Sequence, residues 1–359
     1  MSDPFRLGLA IPLSGPGGIF GPSCEAVAQL AVHELNRSSG LLGREVEIVT
    51  IDAGAPVEQV VERVRALTAA GRLDALTGWH ISSVRERLAP IVRGRLPYLY
   101  TSLHEGGHAT PGSTLIGEAP DLQVLPGLNW LVDSLGIRSW AMVGADYIWP
   151  RRTARHVRSQ ARDGSFSIVY EEFVPFGTRD FSPTISRLER ADPGGVIMLF
   201  VGQDAVHFNR QFGASGLARD AVRFSPLMEE NMLLATGAEA TTGLYVAAAY
   251  FSSLHHTPAL DFLGRYVNQH GSSAPPLNNA AESCYEGILA LAALTRAANS
   301  TDPVALARYA ASESFGYEGP RGRIELSADY AAQPVHIARA EGYRFEVLAS
   351  LTASMPRRS

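Results

Sequence analysis

Short apolar runs that alternate with amphipathic segments constrain the fold of this chain more than any other feature. Leu7 to Leu13, Glu45 to Asp52, Asp74 to Thr77 and Leu96 to Leu99 read as strands. Between them lie helix-spaced stretches. Ala26, Leu30, Ala31 and Leu35 recur on one face, Glu58 to Ala70 is a charged helix, and Ser82 or Ser83 opens another that runs to about Val92. Past Asp121, the spacing of Leu122, Leu125, Leu128, Leu131, Val132 and Leu135 predicts a further helix. Strands at 139–143, 168–174, 195–200, 222–225 and 244–247 then alternate with helices at 150–162, 181–190, 203–215 and 229–236. Each crossover returns the chain in the same direction, so the expected class is α/β with a mainly parallel sheet. After Tyr250 to Ser253 comes an apparent crossover, then helices near 258–269, 277–298 and 302–312. Short strands near 323–326, 334–340 and 343–348 close the chain, the last two a hairpin around Glu341-Gly342.

In open α/β sheets, ligands lie outside the carboxyl ends of the strands, so residues just past those ends are the first candidates for a site. The stretch from Ser139 to Pro150 reads as strand, break at Gly144, loop and helix. It is expected to project Asp146, Tyr147 and Trp149 into a crevice, the alternative being aromatics packed under a loop. Trp79-His80-Ile81-Ser82-Ser83 follows the third strand, with one serine as the expected helix N-cap and the amides after it as donors. Tyr100-Thr101-Ser102 follows the fourth strand. Two tempting motifs fail on their own terms. The glycine-rich turn at Ser14 to Gly18 fits neither the dinucleotide nor the P-loop spacing and reads as a plain loop. His104-Glu105-Gly106-Gly107-His108 matches the zinc-protease pattern formally, but its glycine pair opposes the helix that would put both rings on one face. A polar loop is expected there, and no metal or cofactor.

Composition excludes several chemistries. All 31 basic side chains of the 359-residue chain are arginine, which removes a lysine Schiff base, a P-loop lysine and a kinase lysine. With a net charge of -5 and no basic cluster beyond Arg151-Arg152 and Arg357-Arg358, no nucleic-acid partner is expected. Length and a 46% hydrophobic content suit about two globular lobes. Cys24 and Cys284 lack metal or redox spacing and read as buried small hydrophobes. No stretch approaches the roughly 20 apolar residues of a membrane span. Without a basic leader and apolar h-region the expectation is cytoplasmic, or periplasmic if a leader has been removed.

The order of motifs resembles the branched-chain amino-acid and amide group of type I periplasmic binding proteins. The likeness is carried by Leu-Gly-Leu-Ala-Ile-Pro-Leu-Ser-Gly from Leu7, Glu-Leu-Asn-Arg from Glu34 and Gly-Leu-Leu-Gly-Arg from Gly40. Glu105-Gly106, Gly-Ala-Asp-Tyr-Ile-Trp-Pro-Arg from Gly144 and Tyr-Phe-Ser-Ser from Tyr250 extend it to nearly the whole chain. Within the group it looks most like the amide-sensing negative regulators of aliphatic amidase operons.

The resemblance implies two doubly wound lobes, 1–121 with 250–329 and 122–249 with 330–359, joined by three crossovers and closing by hinge motion on a ligand in the cleft. It places His80 where the family has an amide-binding tyrosine, with Ser82, Tyr100, Thr101 and Ser102 in the same lobe. In the other lobe it implies Tyr147 and Trp149, and at Met228-Glu229 the position of a threonine in amide sensors or an ammonium-receiving acid in amino-acid binders. A cleft-facing Glu229 favours an α-amino acid, with carboxylate on Ser82, Thr101 or Ser102, ammonium on Glu229 or Asp146, and side chain against Trp79, Tyr147 or Trp149. A solvent-facing Glu229 favours a neutral amide or urea-like compound. The expected function is a non-enzymatic receptor for a short polar ligand. It acts either as a sensor read by a regulator protein or as the substrate-binding protein of an ABC permease, with self-association open. Hydrolysis is the third reading, and His80 with Ser82 is its only candidate pair.

Overall fold

In the computed structural model, residues 3–351 are described apart from 108, 110, 328 and 329. The chain divides into two units and passes between them three times. Unit 1 comprises Met1–Gly117 and His255–Gln333, and unit 2 comprises Glu118–Leu254 and Pro334–Ser359. The divisions therefore fall at 117, 254 and 333, where the sequence suggests 121, 249 and 329.

In chain order, unit 1 opens with β1 (Phe5–Ile11), α1 (Gly21–Arg37), β2 (Val46–Asp52), α2 (Val57–Ala69), β3 (Ala75–Gly78), α3 (Ser82–Val92), β4 (Tyr98–Tyr100) and β5 (Thr114–Leu115). Unit 2 follows with α4 (Val124–Leu135), β6 (Ser139–Ala145), α5 (Ile148–Ala161), β7 (Ser167–Val174), α6 (Ser182–Ala191), β8 (Gly195–Leu199), α7 (Gln203–Gly213), β9 (Val222–Ser225), α8 (Glu230–Thr236) and β10 (Leu244–Ala248). The chain returns to unit 1 for α9 (Thr257–His270), α10 (Asn279–Ala298), α11 (Pro303–Ser312), β11 (Phe315–Gly319), β12 (Gly322–Ser327) and β13 (Tyr330–Ala332). It ends in unit 2 with β14 (Val335–Glu341) and β15 (Arg344–Leu351).

The main sheet of unit 1 has the order β2-β1-β3-β4-β5 and is parallel throughout. Successive strand side chains alternate between its faces. Ala10, Ile51, Leu76, Tyr98 and Tyr100 pack with Val60, Val61 and Val64 of α2 and Val84, Leu88 and Val92 of α3. Thr77 and Thr101, one step out of phase, meet α10 at Gly287, where a Cβ would lie 2.4 Å from Thr77 Oγ1 and 2.6 Å from Thr101 Cγ2. Gly287→Ala is accordingly expected to push α10 off the sheet and lower stability by about 1–3 kcal/mol in denaturant titration. An unchanged midpoint would show that α10 can back away without loss. The helix begins where Asn278 caps it, accepting from the Ala281 amide at 2.8 Å, and ends at Asn299, left-handed with φ 46°.

Unit 2 has a seven-stranded sheet of order β15-β14-β10-β9-β8-β6-β7. It is parallel from β7 to β10, and β14 and β15 add to it antiparallel. Inner strands covered on both faces need apolar residues at every position, and β8 and β10 are buried throughout. Phe181, Phe200, Phe208 and Phe212 form one edge-to-face and tilted aromatic chain with centroids 5.1–5.7 Å apart.

Local differences from the sequence reading have physical reasons. β6 runs through Gly144 to Ala145, because parallel pairing with β8 includes the glycine and pairing with β7 continues past it. Helix α5 starts at Ile148, two residues before the proline, which occupies its first turn. The N-cap of α3 is Ile81, with no side-chain cap bond, and Ser82 is already the first helical residue. The three-stranded sheet β11-β12-β13 has only β12 legible, since β11 carries glycines at Gly316 and Gly319.

Candidate functional site

In unit 1, the residues after β3 and β4 form a buried polar cluster on an otherwise apolar lobe. Gly78 leaves β3 with φ 130°, a conformation open to glycine, and its Cβ position would stand 2.2 Å from the Ala10 carbonyl. This turn brings Trp79 against Phe20 at 4.5 Å between centroids. It also turns His80 inward, where one ring nitrogen meets Ala10 O at 3.0 Å and the other meets the Tyr98 hydroxyl at 2.6 Å. The His80 carbonyl accepts from Tyr100 Oη and Ser102 Oγ, both at 2.7 Å, and its amide donates to Ser102 Oγ at 2.8 Å. Burial holds the His80 imidazole neutral, down at about 4. Burial likewise pushes the Tyr100 hydroxyl up to about 12.

Ser82 does not reach His80. Its hydroxyl donates to Glu105 Oε2 at 2.8 Å, and Arg85, one turn along α3, pairs with Glu105 Oε1 at 2.5 Å and with Glu86 at 2.9 Å. The Arg85 guanidinium also lies over the Tyr100 ring, 5.1 Å from its centroid. Burial works to raise the Glu105 carboxyl, but Arg85 and the Ser82 hydroxyl outweigh it and hold it below the usual range. Thr101 Oγ1 accepts from Ser283 at 3.4 Å, and Cys284 Sγ lies 3.9 Å away. His104 is buried, and burial lowers it to about 4.

His80 and Ser82, the hydrolysis pair, spend their hydrogen bonds on different partners. Residues 104–107 are irregular rather than helical, with Gly106 and Gly107 at φ 74° and 77°, which leaves the zinc pattern without its helix; His108 lies outside the described residues. His104 and Glu105 are buried, not a solvated polar loop. Among the described residues no group of three or more His, Cys, Asp or Glu could hold a metal ion.

In unit 2, Asp146 and Tyr147 follow β6. Asp146 is exposed and paired with Arg151 at 2.8 Å, and this bond holds its carboxyl below the usual range. Tyr147 is half-buried, edge-on to Phe176 at 5.6 Å and 6.4 Å from Trp149. Trp149 is 2% exposed, in the first turn of α5. Met228 is buried, its sulfur accepting from Asn209 Nδ2 at 3.6 Å. Glu229, at the N-cap of α8, is also 2% exposed.

The sequence reading missed three buried groups. Arg85 is 20 residues from its partner Glu105, so no local spacing links them. Glu230 accepts from the Ser252 amide at 2.7 Å, and burial raises its carboxyl to about 7. Asp204 accepts from the Gly177 amide at 2.8 Å and is raised by burial to about 6.

Each of the two units is an α/β sheet with polar or aromatic groups just past the carboxyl ends of its parallel strands, the place where ligands sit in such sheets. The periplasmic binding protein family matches residues 4–342, and the chain belongs to it. Solved structures with the same fold share little sequence with it. A solute binding protein of an R. palustris ABC transporter, in complex with benzoate, is 18% identical with a TM-score of 0.84, covering 98% of each chain. An amino acid ABC transporter substrate-binding protein from Pseudomonas fluorescens Pf-5 is 16% identical with a TM-score of 0.84, covering 99% of this chain and 97% of that one. The branched-chain amino acid transporter substrate binding protein LivJ from Streptococcus pneumoniae, in complex with isoleucine, is 16% identical with a TM-score of 0.81, covering 97% and 99%. Among the described residues no helix is long and apolar enough to cross a membrane.

Proposed function

We propose that this protein is the substrate-binding component of an ABC importer and takes a small polar organic solute, an α-amino acid ahead of a neutral amide. The observation that carries the reading is the family match across residues 4–342, which spans both units. The three solved structures described above are of transporter binding proteins, which supports a permease as partner over a regulator protein.

On unit 1, the Ser102 hydroxyl donates its proton to the His80 carbonyl, which leaves the Thr101 hydroxyl and, at the start of α3, the amides of Ser82 and Ser83, which have no intrahelical acceptor. These suit the carboxylate of a solute. His80 and Tyr100 act one step back, since their polar atoms are bonded within the lobe and hold Ser102 in place. On unit 2, Tyr147 supplies an accessible ring for the apolar part of the solute, and Glu229 is the acid for its ammonium group. Glu229 is buried rather than solvent-facing, which supports an amino acid over an amide. Asp146 is a weaker candidate because Arg151 already neutralises it.

The test is a thermal-shift screen against amino acids, short amides, urea and aromatic carboxylates, repeated with Glu229→Gln. Stabilisation by an amino acid that falls in the variant is the expected result. Stabilisation by amides alone, unchanged in the variant, would move the assignment to amide sensing. Tyr147→Ala is expected to weaken binding by about 1–3 kcal/mol by calorimetry with an unchanged melting temperature of the free protein. Unchanged affinity would remove the ring from the site.

A further inference from the structure

Unit 1 contains a cavity of about 570 Å³ that shares only Tyr98 with the groups above. It opens where the α3–β4 turn, the segment leading into β5 and one stripe of α11 meet, at the amino ends of β4 and β5. The solute candidates of this unit follow the carboxyl ends of β3 and β4. Helix α11 is exposed to two environments. Leu306 is fully buried in the lobe, whereas Val304, Ala307, Arg308 and Ala311, at helical spacing, line the cavity. Leu96 and Tyr98 form the opposite wall, and both are at most 2% exposed.

The lining is mainly apolar, with the hydroxyls of Ser113 and Thr114 beside two charged groups of one sign. Arg93 and Arg308 both border the cavity, no acidic residue does, and neither arginine forms an ion pair among the described residues. The nearby Asp302 is already occupied, capping the Ala305 amide at 2.8 Å. The volume falls within the roughly 300–1,000 Å³ of small-molecule sites. An apolar chamber with two guanidinium groups at its border complements a molecule with an apolar body and one anionic end, since a guanidinium receives a carboxylate through paired hydrogen bonds.

We propose that this cavity is a second ligand site, for a free medium-chain carboxylate, separate from the solute site and independent of the transport reading. The alkyl chain lies between Leu96 and the Val304 and Ala307 stripe, and the carboxylate meets Arg93 and Arg308.

The experiment is calorimetric titration of the full chain with sodium dodecanoate below its micelle concentration, with dodecyltrimethylammonium as the charge-reversed probe. Saturable binding of dodecanoate, absent for the cation, is expected. The Arg93→Gln/Arg308→Gln double variant should weaken it about tenfold or more, and Ala307→Trp, which fills the chamber, should abolish it. Both substitutions are at positions open to solvent or half-open, so folding is checked by an unchanged melting temperature. Equal binding of the cation, or dodecanoate affinity unchanged in both variants, would overturn the proposal. Loss of dodecanoate binding in Tyr147→Ala would also overturn it, by assigning the anion to the solute site. Sedimentation with phosphatidylglycerol vesicles without binding of free dodecanoate would overturn it in favour of a membrane surface.

Discussion

Arg321→Ala is expected to lower the stability of unit 1 by about 3–5 kcal/mol, the largest effect of any single substitution considered. The Arg321 side chain is fully buried between two glutamates of α10, with Nε 3.1 Å from Glu282 and 2.8 Å from Glu286. Its Nη2 also bonds Glu286, and its Nη1 donates to Gln333 at 2.5 Å. Tyr317 Oη donates to Glu286 at 2.8 Å, so β11, the β11–β12 turn and the end of β13 are all tied to one face of α10. Removing the guanidinium leaves two buried carboxylates with only neutral donors. Desolvation of uncompensated charge, rather than the lost contacts, supplies most of the cost. The exposed Arg323 is the control. Its pairs with Glu318 and Glu325 are about two-thirds and half open to solvent, and Arg323→Ala should leave the unfolding midpoint nearly unchanged. Denaturant titration followed by hydrogen exchange in unit 1 reads both variants. A loss below about 1 kcal/mol for Arg321→Ala would mean that water or a shifted Gln333 replaces the guanidinium.

How much of this was legible in the sequence depends on whether the signal was local. The helical spacing of Leu122 to Leu135 and the apolar runs at 195–200 and 244–247 are set by burial on one or both faces, and they mark elements to within a few residues. The polar residues past the strand ends could also be picked out by position, as with Ser82 and Tyr147. What they bond to could not. Ser82 as a helix N-cap is a rule of local geometry, but Glu105 reaches it from another loop and takes its hydroxyl, while Ile81 assumes the cap. The ring of His80 is committed by Ala10, 70 residues away, and by Tyr98. Trp149 was picked out by its place after a strand end, and it lies in the first turn of α5 on the buried side of the helix. Long-range side-chain pairing has no periodicity, so a single sequence carries no trace of it.

Acidification is expected to act on the two units in opposite directions. In unit 1, burial holds His80 and His104 at about 4, below their ordinary 6.5. The unfolded chain therefore takes up protons first, so their contribution is complete above pH 6.5 and is lost as pH falls from 6.5 through 4. In unit 2, burial raises Glu230 from 4.5 to about 7 and Asp204 from 3.8 to about 6. Here the folded form holds the proton, and stability is gained as pH falls from 7 toward the unfolded values. At about 1.4 kcal/mol per group per pH unit, lowering the pH from about 6.5 to about 5 costs unit 1 about 4 kcal/mol and gives unit 2 a gain of the same order. His207 works against this gain, since burial, Arg179 and Arg210 lower it within unit 2. Global unfolding sums the two and should move little, so the melting temperature is a poor probe. Hydrogen exchange resolved by peptide, corrected for intrinsic rates, should show protection falling in β3, β4 and α3 and rising in α7, α8 and β10 between about pH 7 and about pH 5. Glu230→Gln should remove part of the unit 2 response and leave that of unit 1 intact. Parallel changes in both units would mean that the histidines are accessible to protonation in the folded state and that burial does not control them.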